Sequence, residues 1–165
     1  MTREKPNLFA KFRDILKLQL DYYIKVLDAA NKKTHVLVNG DVEKLEQITT
    51  EEQALIVKLG KLEESREEVL GKISHRYGED PEDLKEDFFS QILPEDQAQE
   101  FTDTCKNLRE ILDKLTHVNK TNEELIKRAL DYINFSIDLL TDASTDTSSY
   151  SSDGASSQNK AYQFI

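Results

Sequence analysis

The feature that most constrains the fold is a seven-residue apolar repeat in the segment 45–73. The repeat consists of Leu45, Ile48, Glu52, Leu55, Leu59, Leu62, Arg66, Val69 and Ile73. Spacings of three and four residues alternate throughout, which predicts a helix that supercoils against a neighbouring helix. We expect the two polar members, Glu52 and Arg66, to set the register, each finding a partner on another helix or reaching solvent.

A long helix precedes this segment, and both helices have recognisable ends. The apolar positions of the first helix are Phe9, Phe12, Leu16, Tyr23, Val26, Ala30, Thr34 and Leu37, widened by Leu8, Ile15, Tyr22 and Leu27. Asn7 is a suitable N-cap for this helix, and Asn39-Gly40 a suitable end. Asp41 can cap the second helix, and Gly78 can end it.

The rest of the ordered region reads as a short helix followed by a very long one. The short helix is predicted to start near Pro81, with an apolar face of Leu84, Phe88, Phe89 and Ile92. Pro94 forces a break and opens a last helix at roughly 94–141, about 70 Å long. Its bundle-facing positions are Phe101, Cys105, Leu108, Leu112, Leu115, Asn119, Asn122, Ile126, Ala129, Ile133 and Leu140.

The charge pattern argues against nucleic acid and membrane surfaces as partners. The net charge is −10, which repels phosphate backbones and anionic lipid. Residues 1–39 are net basic, whereas residues 40–100 are strongly acidic, and this favours packing of the first two helices over a separate acidic docking surface. With no apolar stretch typical of a signal peptide or a membrane span, the sequence predicts a cytoplasmic protein.

Signatures of catalysis are missing from the sequence. It contains no Gly-rich phosphate loop, no Gly-x-Ser-x-Gly and no Glu-x-x-His, and its three histidines lie far apart. Cys105 falls on an apolar position and is interpreted as a packed thiol. The pairs Glu63-Glu64 and Glu67-Glu68 are placed on the outward face of the second helix. We therefore predict a protein that is not an enzyme and uses neither cofactor nor metal.

The end of the last helix carries more apolar surface than one partner helix can cover. A second stripe follows at seven-residue steps through Ile111, Val118, Leu125, Tyr132 and Leu139. A helix that is apolar on two sides needs two partners or a buried position. Two interpretations have equal weight here: another protein covers this stripe, or it belongs to a wider internal core that includes Phe88 and Phe89.

Two asparagines interrupt the bundle-facing positions of the last helix. Buried Asn fixes register but reduces stability, so the helix beyond Asn119 and Asn122 is expected to be held less tightly. After Leu140 the chain becomes rich in Ser, Thr and Asp, a composition that predicts disorder. The predicted fold is all-α: a long antiparallel helical hairpin or coiled-coil bundle of three long helices plus a short one. The bundle domain covers 1–141 and a disordered tail covers 142–165, ending in an apolar Tyr162-Gln163-Phe164-Ile165.

The order of these motifs resembles the FlgN-type flagellar export chaperones. The first amphipathic helix and the turn at Asn39-Gly40-Asp41 are followed by Glu52-Gln53-Ala54-Leu55 and by Leu62-Glu63-Glu64-Ser65-Arg66. Residues 115–126 then match an "L-x-x-x-N-x-x-N-x-x-L-I" pattern, and the polar tail contains a Tyr150 to Gly154 run. The resemblance covers about residues 8–155, and its specificity lies in the order and spacing of the motifs.

The resemblance implies a chaperone for the hook–filament junction proteins FlgK and FlgL. Such chaperones bind the C-terminal amphipathic helix of a client and deliver it to the export gate protein FlhA and the export ATPase complex. The client-binding residues would be Val118, Leu125, Leu130, Tyr132, Ile133, Phe135, Ile137, Leu139 and Leu140. Tyr150 would be the residue that docks on the gate. The alternative function is a structural coiled-coil protein that uses the second stripe for self-assembly and has no export role.

Overall fold

A computed structural model describes residues 7–144 as an all-helical structure with four α-helices in that range. The helices are α1 (Leu8–Asn39), α2 (Val42–Tyr77), α3 (Glu86–Ile92) and α4 (Glu95–Ala143), with a 3-10 turn at Pro81–Asp83 between α2 and α3. The predicted all-α class and the three long helices plus a short one are confirmed. Helix α4 ends two residues beyond its predicted end.

The predicted ends of α1 and α2 agree with the structure in detail, whereas the short helix predicted to start near Pro81 begins at Glu86, after the 3-10 turn. The Asn7 side chain caps α1 by accepting a hydrogen bond from the Ala10 amide at 3.2 Å, and Asp41 caps α2 by accepting from the Lys44 amide at 3.1 Å. Gly40 and Gly78 end α1 and α2 in the left-handed conformation, at φ values of 68° and 67°. Glycine adopts this conformation without the Cβ clash that other residues suffer.

Helix α1 lies at the centre of the bundle. It packs against α2, to which the tight turn at Gly40 joins it antiparallel, and along its other side against α4. Every member of the predicted repeat in α2 is buried or half-buried, including Ile48, Leu59, Val69 and Ile73. The period of the sequence therefore identified the face of α2 that packs.

An aromatic cluster closes the end of the bundle where α3 lies. Phe89 of α3 is 1% exposed and has ring centroids 5.0 Å from Phe12 and 4.9 Å from Phe101. Phe9 and Phe88 contact the same ring edge-on. Because rings from α1, α3 and α4 meet here, the short helix fixes the start of α4 against the start of α1.

The two polar members of the repeat in α2, Glu52 and Arg66, form ion pairs with partners in different places. Glu52 forms an ion pair with Lys33 of α1 at 2.9 Å, with side-chain exposures of 12% and 4%, so it has the predicted partner on another helix. Arg66 instead pairs with Glu63, one turn earlier on its own helix.

The predicted outward position of Glu63 is therefore wrong. Its carboxylate also accepts a hydrogen bond from the side-chain amide of Gln19 at 3.0 Å. Gln19 is buried on the inner face of α1, so Glu63 must turn toward α1 to satisfy that amide.

No helix within residues 7–144 is both long and apolar enough to cross a membrane. The predicted disordered tail falls, from residue 145 onward, outside the described residues, as does the Tyr162 to Ile165 segment. The residues 142 and 143, assigned to that tail, belong to α4.

Candidate protein-binding surface

The last tightly packed layer between α1 and α4 is a polar one. The Asn122 side chain is fully buried; its amide donates to the Ala30 carbonyl at 2.9 Å, and its own oxygen accepts from the Thr34 hydroxyl at 2.6 Å. These two bonds attach α4 to α1 about two turns before α1 ends at Asn39. Asn122 is therefore buried, as predicted, and its side-chain amide and oxygen each have a hydrogen-bond partner.

Beyond this layer α4 continues without a covering helix. Helix α4 has 49 residues and α1 has 32, a difference of 17 residues or about 26 Å at 1.5 Å per residue. We call residues 127–143 the α4 extension. All of its residues are exposed except Leu130 and Ser136, which are half-buried.

The exposed residues of the α4 extension include an unusual number of large apolar side chains. Their exposed fractions are 71% for Tyr132, 51% for Ile133, 60% for Phe135, 53% for Ile137, 54% for Leu139 and 71% for Leu140. Elsewhere in the described chain, exposed large apolar residues occur singly or as adjacent pairs such as Ile56 and Val57. A continuous apolar surface of this kind is a candidate site of protein interaction.

Two predictions for this region are corrected by the structure. Ala129, Ile133 and Leu140 were assigned to the bundle-facing side, but all three are exposed because α1 ends before it could cover them. The alternative of a wider internal core with Phe88 and Phe89 is also wrong. Those rings pack with the residues near the start of α4, at the opposite end of the bundle from the extension.

At 3.6 residues per turn, the apolar residues of the extension form two faces. The first face, Leu130, Ile133, Ile137 and Leu140, continues the side of α4 that packs on α1 through Leu115, Asn122 and Ile126. The second face, Tyr132, Phe135 and Leu139, lies on the side turned away from that direction. Together with Ala129 and Ser136 between them, the two faces occupy more than half of the helix circumference.

The predicted site residues nearer the bundle are partly covered. Val118 packs against the cluster formed by Val26, Ala30, Leu59 and Leu115, and Leu125 is half-buried. Both residues therefore lie in the part of α4 that the bundle still partly covers. Tyr150 lies outside the described residues.

The α4 extension carries charges of both signs near its base and negative charge at its tip. Lys127 and Arg128 are followed one turn later by Asp131, whereas Asp138 and Asp142 lie near the tip, where the last turn holds no basic residue. The helix dipole adds negative character at the same C-terminal end. A partner helix therefore meets a negative tip.

The single cysteine of the chain belongs to the packed part of the molecule. Cys105 is half-buried against the aromatic cluster, and burial raises the pKa of its thiol. A raised pKa lowers the thiolate fraction and with it the nucleophilicity. This agrees with the interpretation of Cys105 as a packed thiol.

The bundle covers about two-thirds of the length of α4 and leaves the last third apolar and uncovered, an arrangement typical of helical proteins that bind other proteins. The family comparison gives this class a more specific identity. The family model described as FlgN protein matches residues 1–158, so the chain belongs to the FlgN family. This is a family of flagellar export chaperones associated with binding hook-associated proteins. Neither the curated proteins nor the solved structures contain a match to the chain.

Proposed function

We propose that the protein is a cytoplasmic export chaperone whose α4 extension binds the C-terminal amphipathic helix of a FlgK- or FlgL-like hook–filament junction protein. The observation that carries this proposal is the run of six large apolar side chains that are at least half exposed on a helix without a partner. Family membership supplies the class of client.

The α4 extension has the properties that helix capture requires. An amphipathic client helix presents an apolar face with anchors at three- and four-residue steps, and the first and second faces offer matching positions. The base of the extension is attached to α1 through Asn122, so the binding surface is presented on a preformed helix. A preformed surface reduces the entropy lost on binding.

The client-binding residues are proposed to be Val118, Leu125, Leu130, Tyr132, Ile133, Phe135, Ile137, Leu139 and Leu140. Within this set we assign the anchors to the exposed residues of the extension, since burying a Leu, Ile or Phe side chain fully contributes about 1.5–3 kcal/mol. Val118 and Leu125 are partly covered by the bundle and therefore gain less from a client.

The proposal is tested with a synthetic peptide of the C-terminal helix of a FlgK-like protein. Hydrogen exchange with and without this peptide is expected to show slower exchange in residues 125–143, where the helix amides become shielded. The double substitution Tyr132→Glu and Leu139→Glu should weaken peptide binding at least about 100-fold, as measured by calorimetry.

The matched control is the pair Ile56→Glu and Val57→Glu on α2. These apolar residues are 52% and 59% exposed, comparable with Leu139, but lie outside the extension. The control should bind the peptide as the unmodified protein does. Equal loss of binding in both variants, or no change in exchange within the extension, would contradict the proposal.

Delivery of the client is proposed to use Tyr150, the aromatic residue in the Ser-rich segment, as the contact to the gate protein FlhA and its ATPase complex. The basis is the family resemblance together with the lack of other aromatic residues in the segment 141–160. Tyr150→Ala should reduce binding of the chaperone–client complex to the cytoplasmic domain of FlhA while leaving peptide affinity unchanged. A change in peptide affinity would contradict this division of roles.

A further inference from the structure

The second face of the α4 extension is short and partly aromatic. Tyr132, Phe135 and Leu139 follow one another at steps of three and four residues, so they span about 10 Å along the helix axis. All three side chains are more than half exposed. A segment that covers this face therefore needs only a short apolar stretch with aromatic side chains.

The chain contains such a stretch beyond the described residues. After a long polar segment, residues 160–165 read Lys160, Ala161, Tyr162, Gln163, Phe164 and Ile165. A segment of this length is too short for a stable isolated helix. Extended at about 3.3 Å per residue, the apolar part 162–165 spans about 10 Å, which is the length of the second face. Tyr162 and Phe164 then point to the same side, because side chains alternate along an extended chain.

We infer that residues 160–165 pack as an extended segment on the second face of the α4 extension of the same chain, antiparallel to α4. In this arrangement Tyr162 lies toward the tip of the extension and Phe164 toward its base, with both rings against Phe135. Offset or edge-on contacts between aromatic rings add to the gain from burying apolar surface.

The length of the connecting segment brings the second face within reach. Residues 144–159 separate the end of α4 at Ala143 from Lys160. For a Ser-rich composition, 16 residues predict a root-mean-square end-to-end distance of about 20–24 Å. Tyr132, the member of the second face farthest from the tip, lies about 16 Å before Ala143 along the helix. The short tether also gives an effective concentration on the order of millimolar, which favours docking of even a weak segment.

Another apolar depression, between α2 and α4, lies much farther from the tip. It is lined by Leu70 of α2 and by Cys105 and Leu108 of α4, among others. Leu108 lies about 52 Å before Ala143 along the helix. A linker of 16 residues measures about 53–58 Å when it is fully extended, so nearly all of its conformations fall short of this depression. The reach of the linker therefore directs the 160–165 segment to the α4 extension.

The charges favour the antiparallel direction. Lys160 is the first basic residue after Arg128. With the segment antiparallel, Lys160 lies at the tip of α4, where Asp142 and the helix dipole are negative. With the segment parallel, Lys160 would lie instead beside Arg128, which precedes Tyr132 by four residues and so continues the second face toward the base. Like charges would then meet.

This packing shields the second face and leaves the first face open. Because the segment makes few contacts, it exchanges between docked and undocked states and adds little to the free energy of unfolding of the bundle. The second face also belongs to the proposed client surface, so a client must displace the segment. This competition rests on the proposed function, whereas the packing itself does not.

The packing is tested on the full chain without a client, by paramagnetic relaxation enhancement. A nitroxide is attached to Gln158→Cys in a Cys105→Ser background, and the signals of the α4 amides are recorded by NMR. Broadening is expected to extend from the tip back to residues 132–135. The enhancement at these residues measures the ratio of docked to undocked chains, since the tip is near the label in either state.

Removal of the two aromatic rings should abolish this effect. Tyr162→Ser with Phe164→Ser is expected to lower the docked-to-undocked ratio at least about fivefold, because the apolar area buried by both rings is lost. The matched control is Tyr150→Ser, which removes an aromatic residue outside the 160–165 segment and should leave the ratio unchanged. Equal broadening at residues 132–135 with and without the two rings would overturn the inference.

A mixing experiment tests whether the segment binds to its own chain. Isotopically labelled Cys105→Ser chains are mixed with unlabelled chains that carry the nitroxide at residue 158. No broadening is expected in the labelled chains at concentrations at which a single doubly labelled chain shows it. Broadening of equal size in the mixture would mean that the segment is captured by another copy, and the inference would be overturned.

The face is tested by two matched substitutions within the extension. Phe135→Glu on the second face should abolish the broadening at residue 132, whereas Ile137→Glu on the first face should leave it unchanged. The two side chains are 60% and 53% exposed, so neither substitution disturbs the bundle core. The opposite result, with Ile137→Glu the more damaging variant, would contradict packing on the second face.

The direction is tested by the charges. Lys160→Glu is expected to lower the docked-to-undocked ratio about two- to fivefold, because a negative charge then meets the negative tip of the helix. Arg128→Glu should leave the ratio unchanged, since the base lies away from Lys160 in the antiparallel arrangement. Stronger docking in the Arg128 variant would show that the segment runs parallel to α4 and would overturn the inferred direction.

Calorimetry with the client peptide then tests the competition. If docked and undocked chains are equally populated, Tyr162→Ser with Phe164→Ser should bind the peptide about twofold more tightly, because the whole population is then competent to bind. Unchanged affinity would contradict the competition. A peptide that binds neither form would contradict the proposed function instead, and the relaxation measurements would still decide whether the segment packs on the second face.

Discussion

The two parts of α4 have opposite surroundings, and the part that is richer in apolar residues is the uncovered one. Residues 95–126 pack on α1 and α3, with Phe101 and Leu115 buried, whereas residues 127–143 carry equally large side chains that are at least half exposed. The cause is the length of α1, which ends at Gly40 because a left-handed glycine turns the chain into α2. Apolar patterning therefore decides that both parts form one helix, and the neighbouring helix decides which part is core.

The sharpest way to break this comparison is to remove one phenylalanine from each part of the molecule. Phe89→Ala removes a ring that is 1% exposed and packed between Phe12 and Phe101, so we expect a loss of about 3–5 kcal/mol in the free energy of unfolding. Phe135→Ala, at 60% exposure, should change it by less than about 0.5 kcal/mol. Urea denaturation followed by circular dichroism measures both. Comparable losses in the two variants would mean that the extension is covered within a single chain.

A smaller effect is expected from a matched pair of asparagines. Asn122→Ala deletes the bonds to Ala30 and Thr34, and at about 0.5–1.5 kcal/mol for each hydrogen bond we expect a loss of about 1–3 kcal/mol in the free energy of unfolding. Asn134→Ala, on the exposed side of the extension, should have an effect within about 0.5 kcal/mol. Hydrogen exchange should also quicken around Thr34 in the Asn122 variant. If both substitutions proved neutral, the polar layer would not be what fixes the base of the extension.

The spacing of apolar residues in the sequence was sufficient to predict the helices and most of the faces on which they pack. The caps at Asn7 and Asp41, the glycine ends of α1 and α2, and the repeat in α2 all agree with the structure. Each of these features depends on local conformation or on one helix face, which a single sequence encodes directly. The family resemblance likewise followed from the order of motifs and agrees with the family match.

The buried polar residues of α1 were missed for an identifiable reason. Gln19 lies three residues after Leu16, and Lys33 lies three residues after Ala30. A strict heptad repeat through Leu16, Tyr23 and Ala30 would therefore have included both buried residues. A prediction that counts only apolar residues as buried misses such polar positions. Their burial depends on Glu63 and Glu52 of α2, which are partners that only the folded pairing brings near.

The limit of the bundle along α4 could have been inferred from helix lengths. Since α1 and α4 start at the same end, the longer helix must project beyond the Gly40 turn. Periodicity could not reveal this, because the three- and four-residue spacing of apolar positions resumes after Asn122 and continues through Ile133 to Leu140. Which residues of the extension contact a client remains a prediction that depends on the partner.

The finest distinction between the two parts of α4 is expected at the tip of the extension. Asp142 lies in the last turn, where its charge opposes the helix dipole and no basic residue compensates. Asp142→Asn should therefore stabilise the end of the helix by about 0.3–1 kcal/mol. Because the extension frays without unfolding the bundle, the gain should appear as slower exchange of amides near residue 140 and leave the urea midpoint unchanged.

The control for this substitution is Asp113→Asn, which removes a carboxylate from the exposed side of the packed part of the same helix. Asp113 lies far from both helix ends, so the dipole contributes little there and exchange near residue 140 should not respond. If Asp142→Asn shifted the urea midpoint, the extension would unfold together with the bundle, and the two parts of α4 would form one cooperative unit.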